Sequence, residues 1–460
     1  MKEKITDLPM YISCLKVKNV KSFGSEQILD LKDSNGLISP WTLILGDNGV
    51  GKTTLLKCLA WMIPVEAPAN TVGNSEEIQE DKLPVSLKPY MDDLDESKFE
   101  QLIRKGDNIE TEISIALCNG VSLKQAPTAE NTISLSMYFK KEEGKLKIVS
   151  PQTASLADFN SPNLFAYSAS RHLAFKNIDN SELQGSTSNL FSESGDLYDA
   201  EQLLSMLDTA SIRQEKNGKA TELLKKIKEI LVDILPDIEG TDKIIINSPI
   251  NHDGSINKDL VEIKTEDGLV KLLDLSLGYT TMLAWVVDLA VRMLWQFPES
   301  DEPLKEPAVV IIDEVDLHLH PIWQRNIRKK LTGHFTNTQF ICTAHSPFMA
   351  QSSELENLCV VHRIENEVSI QNDPYIVKGW KIGQIATSEL FSIPSDRSPE
   401  IEEEIIKRRQ LLDKDALTAN EEEELKELDA KLGEIPVTEN KEDQDLLDQI
   451  RKAAELLKAK

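Results

Sequence analysis

One short stretch constrains the fold of this chain more than any other feature of its sequence. Residues 46–53 read Gly-Asp-Asn-Gly-Val-Gly-Lys-Thr, a complete G-x-x-x-x-G-K-[ST] pattern. The stretch follows the apolar run Trp41–Leu45, typical of a buried strand, and precedes residues 54–61, typical of a helix. Strand, glycine-rich loop and helix in this order predict a phosphate-binding loop that opens a helix.

The residue types in this loop suit the phosphates of a nucleotide. Glycines let backbone N–H groups curve around an anion, and the helix N-terminus adds partial positive charge. Lys52 is expected to reach the β- and γ-phosphates, and the Thr53 hydroxyl to ligate Mg²⁺. Lys21 and Phe23 are the candidate contacts to the base. The predicted phosphate contacts are Asn48, Gly49, Val50, Gly51, Lys52, Thr53 and Thr54.

Length and charge limit the classes of protein that this chain can belong to. With 460 residues it is too long for one ordinary core, so two or three units are expected. A net charge of −26 disfavours DNA binding over the whole surface. The basic clusters Lys225–Lys228 and Arg325–Lys330 are more typical of solvated helix faces than of a DNA site.

No segment is typical of a membrane protein or a secreted one. The longest apolar run, Met282–Trp295, is shorter than the roughly 18 residues that span a bilayer, and Asp288 and Arg292 interrupt it. Residues 1–4 lack the apolar core of a signal peptide. The five cysteines are scattered without a C-x-x-C pattern, which disfavours disulfides and zinc. A cytoplasmic location without a membrane partner is expected.

Three further motifs follow the loop in the sequence. Leu275–Gly278 precedes an apolar helix, Asp313 and Glu314 end the apolar run Ala308–Ile312, and His345 follows another apolar run. Strands and helices therefore alternate, with polar residues at the strand ends. This pattern indicates an α/β fold with a mostly parallel sheet.

Each motif has a predicted chemical role. Asp313 is expected to hold Mg²⁺, and Glu314 to polarise the attacking water as general base. His345 is expected to hydrogen-bond the γ-phosphate and sense its loss. Ser276 and Gly278 lie at a predicted helix N-terminus, far from the loop of their own chain. We therefore expect them to contact the γ-phosphate bound by a second copy.

Together these motifs resemble the ABC-type ATPase heads of SMC proteins, double-strand-break-repair ATPases and overcoming-lysogenization-defect proteins. The resemblance makes the loop a Walker A motif, Asp313 and Glu314 the Walker B motif, Leu275–Gly278 the signature motif, Asp316–His320 the D-loop and His345 the switch histidine. It covers about residues 12–370. It implies a P-loop NTPase head with a mixed, mostly parallel sheet that uses ATP and Mg²⁺ and dimerises head to head.

The chain more closely resembles compact bacterial ATPases of phage-defence operons, and among them the ATPase subunit of the Septu system. The matching segments are Asp313–Pro321, the pair Tyr167 and Arg171, and Arg397–Glu400. The resemblance implies an ATPase that gates a separate HNH nuclease and meets DNA through that complex. Taken alone, Arg171 is more typical of a loop cap than of a phosphate contact.

The chain departs from related families in several ways, which argue against a transporter ATPase, an SMC-like arm and a nuclease. Leu277–Tyr279 stands where transporter ATPases have Gly-Gly-Gln, and no Q-loop glutamine or long heptad run can be assigned. Asp443 and Asp445 match a nuclease D-x-D only superficially, so the chain is not expected to cut DNA by itself. His318 and His320 make a weak metal site without a third ligand. The alternative function is a DNA-repair or SMC-like ATPase that clamps DNA directly.

The predicted organisation has two halves of one ATPase domain, an insertion and a tail. Helix-start signals at Ser398 and Thr418, with an excess of acidic residues, mark the tail as helical and charged. It is either a solvated bundle or a docking segment for a partner. The predicted ranges are 1–177 (first half, with Walker A), 178–270 (inserted helical and β subdomain, a lid), 271–397 (second half) and 398–460 (tail).

Overall fold

A computed structural model gives the architecture of the chain in two compact units, Met1–Ile385 and Ala386–Lys460. Each unit is described by itself. The described residues are 9–68, 85–89, 100–105, 109–123, 125–142, 145–149, 162–171, 186–191, 197–213, 218–235, 238–251, 253–257, 259–265, 268–353, 357–372, 377, 379–391, 393–414 and 417–433.

The strands form four sheets. Their bounds are β1 Met10–Lys18, β2 Gln27–Asp30, β3 Trp41–Gly46, β4 Pro64–Pro68, β5 Val85–Pro89, β6 Glu110–Asn119, β7 Thr132–Glu142, β8 Lys145–Val149, β9 Leu164–Tyr167, β10 Ile244–Ile246, β11 Val261–Thr265, β12 Gly268–Lys271, β13 Ala308–Ile312, β14 Thr338–Thr343, β15 Asn357–Ile364 and β16 Glu367–Asn372.

The helices alternate with the strands of the second half of the chain. Their bounds are α1 Lys52–Trp61, α2 Ser188–Phe191, α3 Ala200–Arg213, α4 Lys219–Ile234, α5 Leu277–Gln296, α6 Pro321–Gln324, α7 Ile327–His334, α8 Pro347–Ser352, α9 Ile382–Ala386, α10 Pro399–Leu412 and α11 Ala419–Gly433.

The central sheet has six strands in the order β16-β15-β3-β14-β13-β9. All neighbours are parallel except the edge strand β16, which runs antiparallel to β15. The apolar runs of β3, β13 and β14 are buried throughout or nearly so, as a parallel sheet covered on both faces requires. Their polar residues consequently meet at the carboxyl edge. The predicted α/β class with a mixed, mostly parallel sheet is confirmed.

A second, antiparallel sheet with the order β2-β1-β6-β7-β8 shares one hydrophobic core with the central sheet. This core takes in side chains of β1, β6 and β7 together with those of α1 and the central strands. Leu55, Leu56 and Leu59 of α1 are fully buried in it. The helix that begins at the phosphate loop is therefore fixed by packing between two sheets.

Gln339 of β14 joins the two sheets by hydrogen bonds. The pairing of β1 with β6 shifts register between Ile12 and Cys14, so β1 is irregular where Gln339 approaches it. The Gln339 Nε2 atom donates to the Ile12 carbonyl at 2.8 Å, and its Oε1 atom accepts from the Ile12 N–H at 2.9 Å. The buried backbone groups at the irregularity are thus satisfied.

Helix α5 is the apolar helix that the sequence predicts after the Leu-Ser-x-Gly motif. Its length of 20 residues and its mean hydropathy of 1.3 over 18 residues are sufficient for a membrane span, but 78% of that window is buried inside the protein. A buried core helix passes the same test of length and composition. Asp288 lies on its buried face.

Helices α3 and α4 and the three-stranded antiparallel sheet β10-β11-β12 lie between residues 200 and 271. The predicted apolar face of α4, which includes Leu223, Ile227 and Ile230, is buried. The limits of an inserted subdomain at residues 178 and 270 stay a prediction.

The second unit contains α10 and α11, both predicted from their start signals. Helix α10 begins at Pro399 after Ser398. The Thr418 N–H and hydroxyl both donate to Glu421 Oε2 at 2.8 Å, which is one half of the predicted capping box. The sequence also predicts a helix at residues 443–458 and a polar surface segment at residues 175–195, but the first and most of the second lie outside the described residues.

Glu201 of α3 is a buried carboxylic acid whose Oε1 atom has no hydrogen-bond partner within the described part of the chain. The pKa of Glu201 is raised to about 7, first by burial and also by the charges of Asp199 and Asp259, while the Leu260 N–H opposes the rise. Because the folded pKa lies above the unfolded value, the ionised form destabilises the fold, and this penalty fades as pH falls through 7.

We therefore predict that Glu201→Gln is more stable than the wild type at pH 8.5 and that this advantage shrinks toward pH 6. The measurement is the midpoint of urea unfolding at several pH values above the isoelectric point of about 4.8. Glu239→Gln, at an exposed position before β10, is the matched control and should show no such trend. An advantage for Glu201→Gln that does not change with pH contradicts the prediction.

Candidate functional site

The phosphate loop between β3 and α1 depends on its glycines. Gly46, Gly49 and Gly51 adopt φ angles of 146°, 76° and 105°, which L side chains rarely adopt. A Cβ atom on Gly46 would lie 2.1 Å from the carbonyl oxygen of Val361. A Cβ atom on Gly51 would lie 2.9 Å from the ring of Phe23, which is fully buried. Phe23 thus packs under the loop and does not offer its ring to a nucleotide base, contrary to the sequence-based guess.

Lys52 lies inside the loop. Its Nζ atom donates to the carbonyl oxygens of Gly46 at 2.7 Å and Asp47 at 2.9 Å. Burial lowers the pKa of Lys52, and the carboxylates of Asp313 and Glu314 oppose that change. The Lys52 amine therefore lies within the loop, where the backbone N–H groups of a phosphate loop converge.

The two predicted Mg²⁺ ligands meet although they are distant in the sequence. The Thr53 hydroxyl donates to Asp313 Oδ2 at 2.7 Å. A hydroxyl and a carboxylate fit Mg²⁺, which takes few protein ligands and completes its shell with water and phosphate oxygens. Across the described residues, no group of three or more His, Cys, Asp or Glu side chains could hold a metal by itself. This pair therefore fits a metal ion that arrives with a nucleotide.

Thr343, at the end of β14, was missed by the sequence analysis. Its hydroxyl donates to Asp313 Oδ1 at 2.6 Å and accepts the N–H of Glu314 at 2.7 Å. The side chain is fully buried. One hydroxyl thus orients the Asp313 carboxylate and fixes the backbone of Glu314. A polar residue at the end of a buried strand, two positions before His345, is the signal that was available.

Glu314 and His345 face each other at the partly exposed side of the site. The Glu314 Oε1 atom lies 4.0 Å from His345 Nε2, and each side chain is about one-third exposed. Glu314 has a φ angle of 48°, in the left-handed region that L residues seldom adopt. The His345 N–H donates to Asp316 Oδ2 at 2.9 Å. The predicted base and switch residue are therefore adjacent and accessible.

Arg171 braces the backbone of this acidic pair. Its Nη2 atom donates to the Glu314 carbonyl at 2.8 Å, and its Nη1 atom donates to the carbonyls of Ser168 and Asp313. Burial lowers the pKa of Arg171 to about 10. These contacts agree with the interpretation of Arg171 as a loop cap rather than a phosphate contact.

The predicted signature motif at the start of α5 packs against the predicted D-loop. Ser276, at the N-cap of α5, is exposed and its side chain makes no capping hydrogen bond. A Cβ atom on Gly278 would lie 2.3 Å from the His318 carbonyl oxygen. The rings of Tyr279 and Trp323 meet edge to face, with centroids 4.5 Å apart. Close packing against the D-loop therefore requires glycine at position 278.

Comparisons with known proteins agree with this geometry. An AAA domain model matches residues 14–235, and an AAA ATPase domain model matches residues 174–350. The chain is thus an ATPase of the P-loop class, as predicted.

The chain is also similar to two named relatives. It is 23% identical to the Retron Vc95 probable ATPase of Vibrio cholerae, over 85% of this chain and 81% of the relative. It is 24% identical to the Septu protein PtuA of Bacillus mycoides, over 94% of this chain and 51% of the relative. The chain therefore spans about half of that PtuA. The predicted resemblance to the Septu ATPase is confirmed.

Among solved structures, the SMC head bound to the C-winged helix domain of ScpA is similar, with a TM-score of 0.42 and 15% identity. That similarity covers 79% of this chain and 97% of the SMC head chain.

The contacts of Thr343 lead to a prediction about metal dependence. Thr343→Val keeps the shape of the side chain but removes both hydrogen bonds, so the Asp313 carboxylate and the Glu314 backbone lose their support. We expect a lower kcat and a higher Mg²⁺ concentration for half-maximal ATP hydrolysis, each by about 10- to 100-fold. Thr343→Ser restores the hydroxyl and should restore both values.

Thr338→Val is the matched control. Thr338 lies at the other end of the same strand, fully buried, and its hydroxyl has no partner among the residues described. Titration of ATPase activity with Mg²⁺ compares the variants. Equal Mg²⁺ requirements for Thr343→Val and the wild type contradict the assigned role.

Proposed function

We propose that this chain hydrolyses ATP in a head-to-head dimer, with each nucleotide between the phosphate loop of one copy and Ser276–Gly278 of the other. The observation that supports this most directly is the junction of Thr53, Asp313 and Thr343, which joins three elements at one metal position. The proposed contact from the second copy is supported by Ser276. This residue lies at the exposed N-terminus of α5, and its side chain makes no capping hydrogen bond.

In this proposal Lys52 binds the β- and γ-phosphates after its amine leaves the loop carbonyls. Thr53 and Asp313 would hold Mg²⁺, which would supply positive charge beside the phosphates. Glu314 orients a water molecule and takes its proton as the water oxygen bonds to the γ-phosphorus, while the bond from that phosphorus to the β–γ bridging oxygen breaks and ADP leaves. His345, beside Glu314, hydrogen-bonds the γ-phosphate and registers its loss.

We further infer that ATP binding or hydrolysis gates a separate nuclease, of HNH type, in cytoplasmic defence against phage. The similarity to Septu protein PtuA and to a retron ATPase supports a defence role. The net charge of −26 supports contact with DNA through a partner rather than directly. Residues 178–270 act in this proposal as a lid, and the acidic tail, residues 398–460, as the docking segment for the nuclease.

Replacement of the proposed base tests the enzymatic part. Glu314→Gln keeps the size of the side chain but cannot accept a proton, so ATP turnover should fall by about 100-fold or more. ATP binding should remain, and the ATP-bound dimer should accumulate. Phosphate release, equilibrium binding of labelled ATP and light scattering measure the three quantities. Glu365→Gln is the control, because Glu365 is an exposed glutamate at a similar φ angle of 52° in the β15–β16 turn.

Unchanged turnover in Glu314→Gln shows that the base is assigned wrongly. The same variant also tests the partner, because it holds the complex in one nucleotide state. Tagged Glu314→Gln isolated from the native host with Mg²⁺ and ATP should carry an HNH nuclease in stoichiometric amount, identified by mass spectrometry. Co-purified DNA without a nuclease would favour the DNA-clamping alternative, and a membrane protein would favour a transporter.

A further inference from the structure

The segment Tyr167–Arg171 begins at the last residue of β9 and holds the backbone of both Walker B residues. The Tyr167 carbonyl accepts the N–H of Asp313 at 2.9 Å. Arg171, at the other end of the segment, donates to the carbonyls of Asp313 and Glu314. A displacement of this segment therefore changes the position of Asp313 and Glu314 directly.

The side chain of Tyr167 reaches in the other direction, to the signature helix α5. Its hydroxyl donates to Asp288 Oδ2 at 2.9 Å, and its ring packs against Trp285 with centroids 5.8 Å apart. Tyr167 and Asp288 are both buried, and their hydrogen bond is shielded from water. Tyr167 consequently contacts Asp313 through its main chain and α5 through its side chain.

Asp288 is held in place by a complete set of partners. Arg292 Nε donates to Asp288 Oδ2 at 2.7 Å, and the Tyr198 N–H donates to Oδ1 at 3.3 Å. The Arg292 guanidinium lies over the Tyr198 ring, 4.7 Å from its centroid. A buried, fully paired carboxylate tolerates little displacement, because loss of a donor leaves charge unsolvated. If α5 moves, Tyr167 must move with it or lose this bond.

We propose that Tyr167 is a positioning residue that couples the engagement of Ser276–Gly278 with nucleotide to the placement of Asp313 and Glu314 in the same copy. This inference rests on the proposed function. Ser276–Gly278 lies at the N-terminus of α5, and a buried helix of 20 residues moves as a rigid body when its end is displaced. The Asp288–Tyr167 bond passes that displacement to β9 and to the N–H of Asp313.

The test removes one hydroxyl. Tyr167→Phe keeps the ring against Trp285 and loses only the bond to Asp288. ATP affinity and ATP-dependent dimerisation should match the wild type, while kcat of the saturated dimer should fall by about tenfold, within the usual range of coupling between sites. Tyr11→Phe is the matched control, because Tyr11 is also buried and its hydroxyl donates to the Asn337 carbonyl at 2.7 Å. That variant should keep the wild-type kcat.

The possible results separate this inference from the proposed function. If the wild type neither dimerises with ATP nor hydrolyses it, the proposed function fails. If the wild type does both and Tyr167→Phe has the wild-type kcat, the inference is overturned while the proposed function stands. Loss of ATP binding or of folding in Tyr167→Phe also overturns it, since Tyr167 would then support the fold and not the coupling.

A double-mutant cycle gives the second measurement. Asp288→Ala removes the oxygen that accepts from the Tyr167 hydroxyl, so each single variant breaks the same bond. If the two residues act through one bond, the double variant should be no slower than the slower single variant. Additive losses in kcat contradict the coupling.

Discussion

The structure depends above all on the position of one carboxylate. Asp313 accepts hydrogen bonds from Thr53 at 2.7 Å and from Thr343 at 2.6 Å, so it joins the phosphate-loop helix to two adjacent strands. Because the aspartate side chain is short, it can accept both hydrogen bonds only if β13, β14 and α1 are fixed relative to one another to within a fraction of an ångström. The packing of α1 between two sheets, and the Gln339 contacts between those sheets, supply that rigidity.

Around this rigid centre, the residues that we propose to respond to nucleotide are more exposed. Glu314 and His345 are each about one-third exposed, and Ser276 lies at an exposed helix start. Glu314 is held in a left-handed conformation by Thr343 and Arg171, which contact its backbone and not its carboxylate. Buried groups thus set the geometry, and exposed groups perform the proposed chemistry. The Tyr167 hydroxyl connects the two sets.

The sequence was sufficient to predict the central sheet, the phosphate loop and the order of the motifs, because each has a strong local pattern. Glycine spacing and buried strand runs are properties of neighbouring residues. The position of Thr343 at the end of a buried strand was a signal in the sequence, but the partners of Thr343 and Gln339 are distant in the chain and cannot be predicted from such patterns. Phe23 was misjudged for the same reason: only the fold shows that its ring lies beneath Gly51. Boundaries of the insertion depend equally on distant contacts.

The central claim is that each active site is shared between two copies, and complementation measures this most directly. Lys52→Ala removes the phosphate-loop amine, and Ser276→Arg blocks the exposed start of α5, so each variant alone should be inactive. In an equal mixture, half of the dimers combine one copy of each variant, and such a dimer contains one intact composite site. Our account predicts that mixing restores a measurable fraction of wild-type ATP turnover. A mixture as inactive as its two components would contradict it.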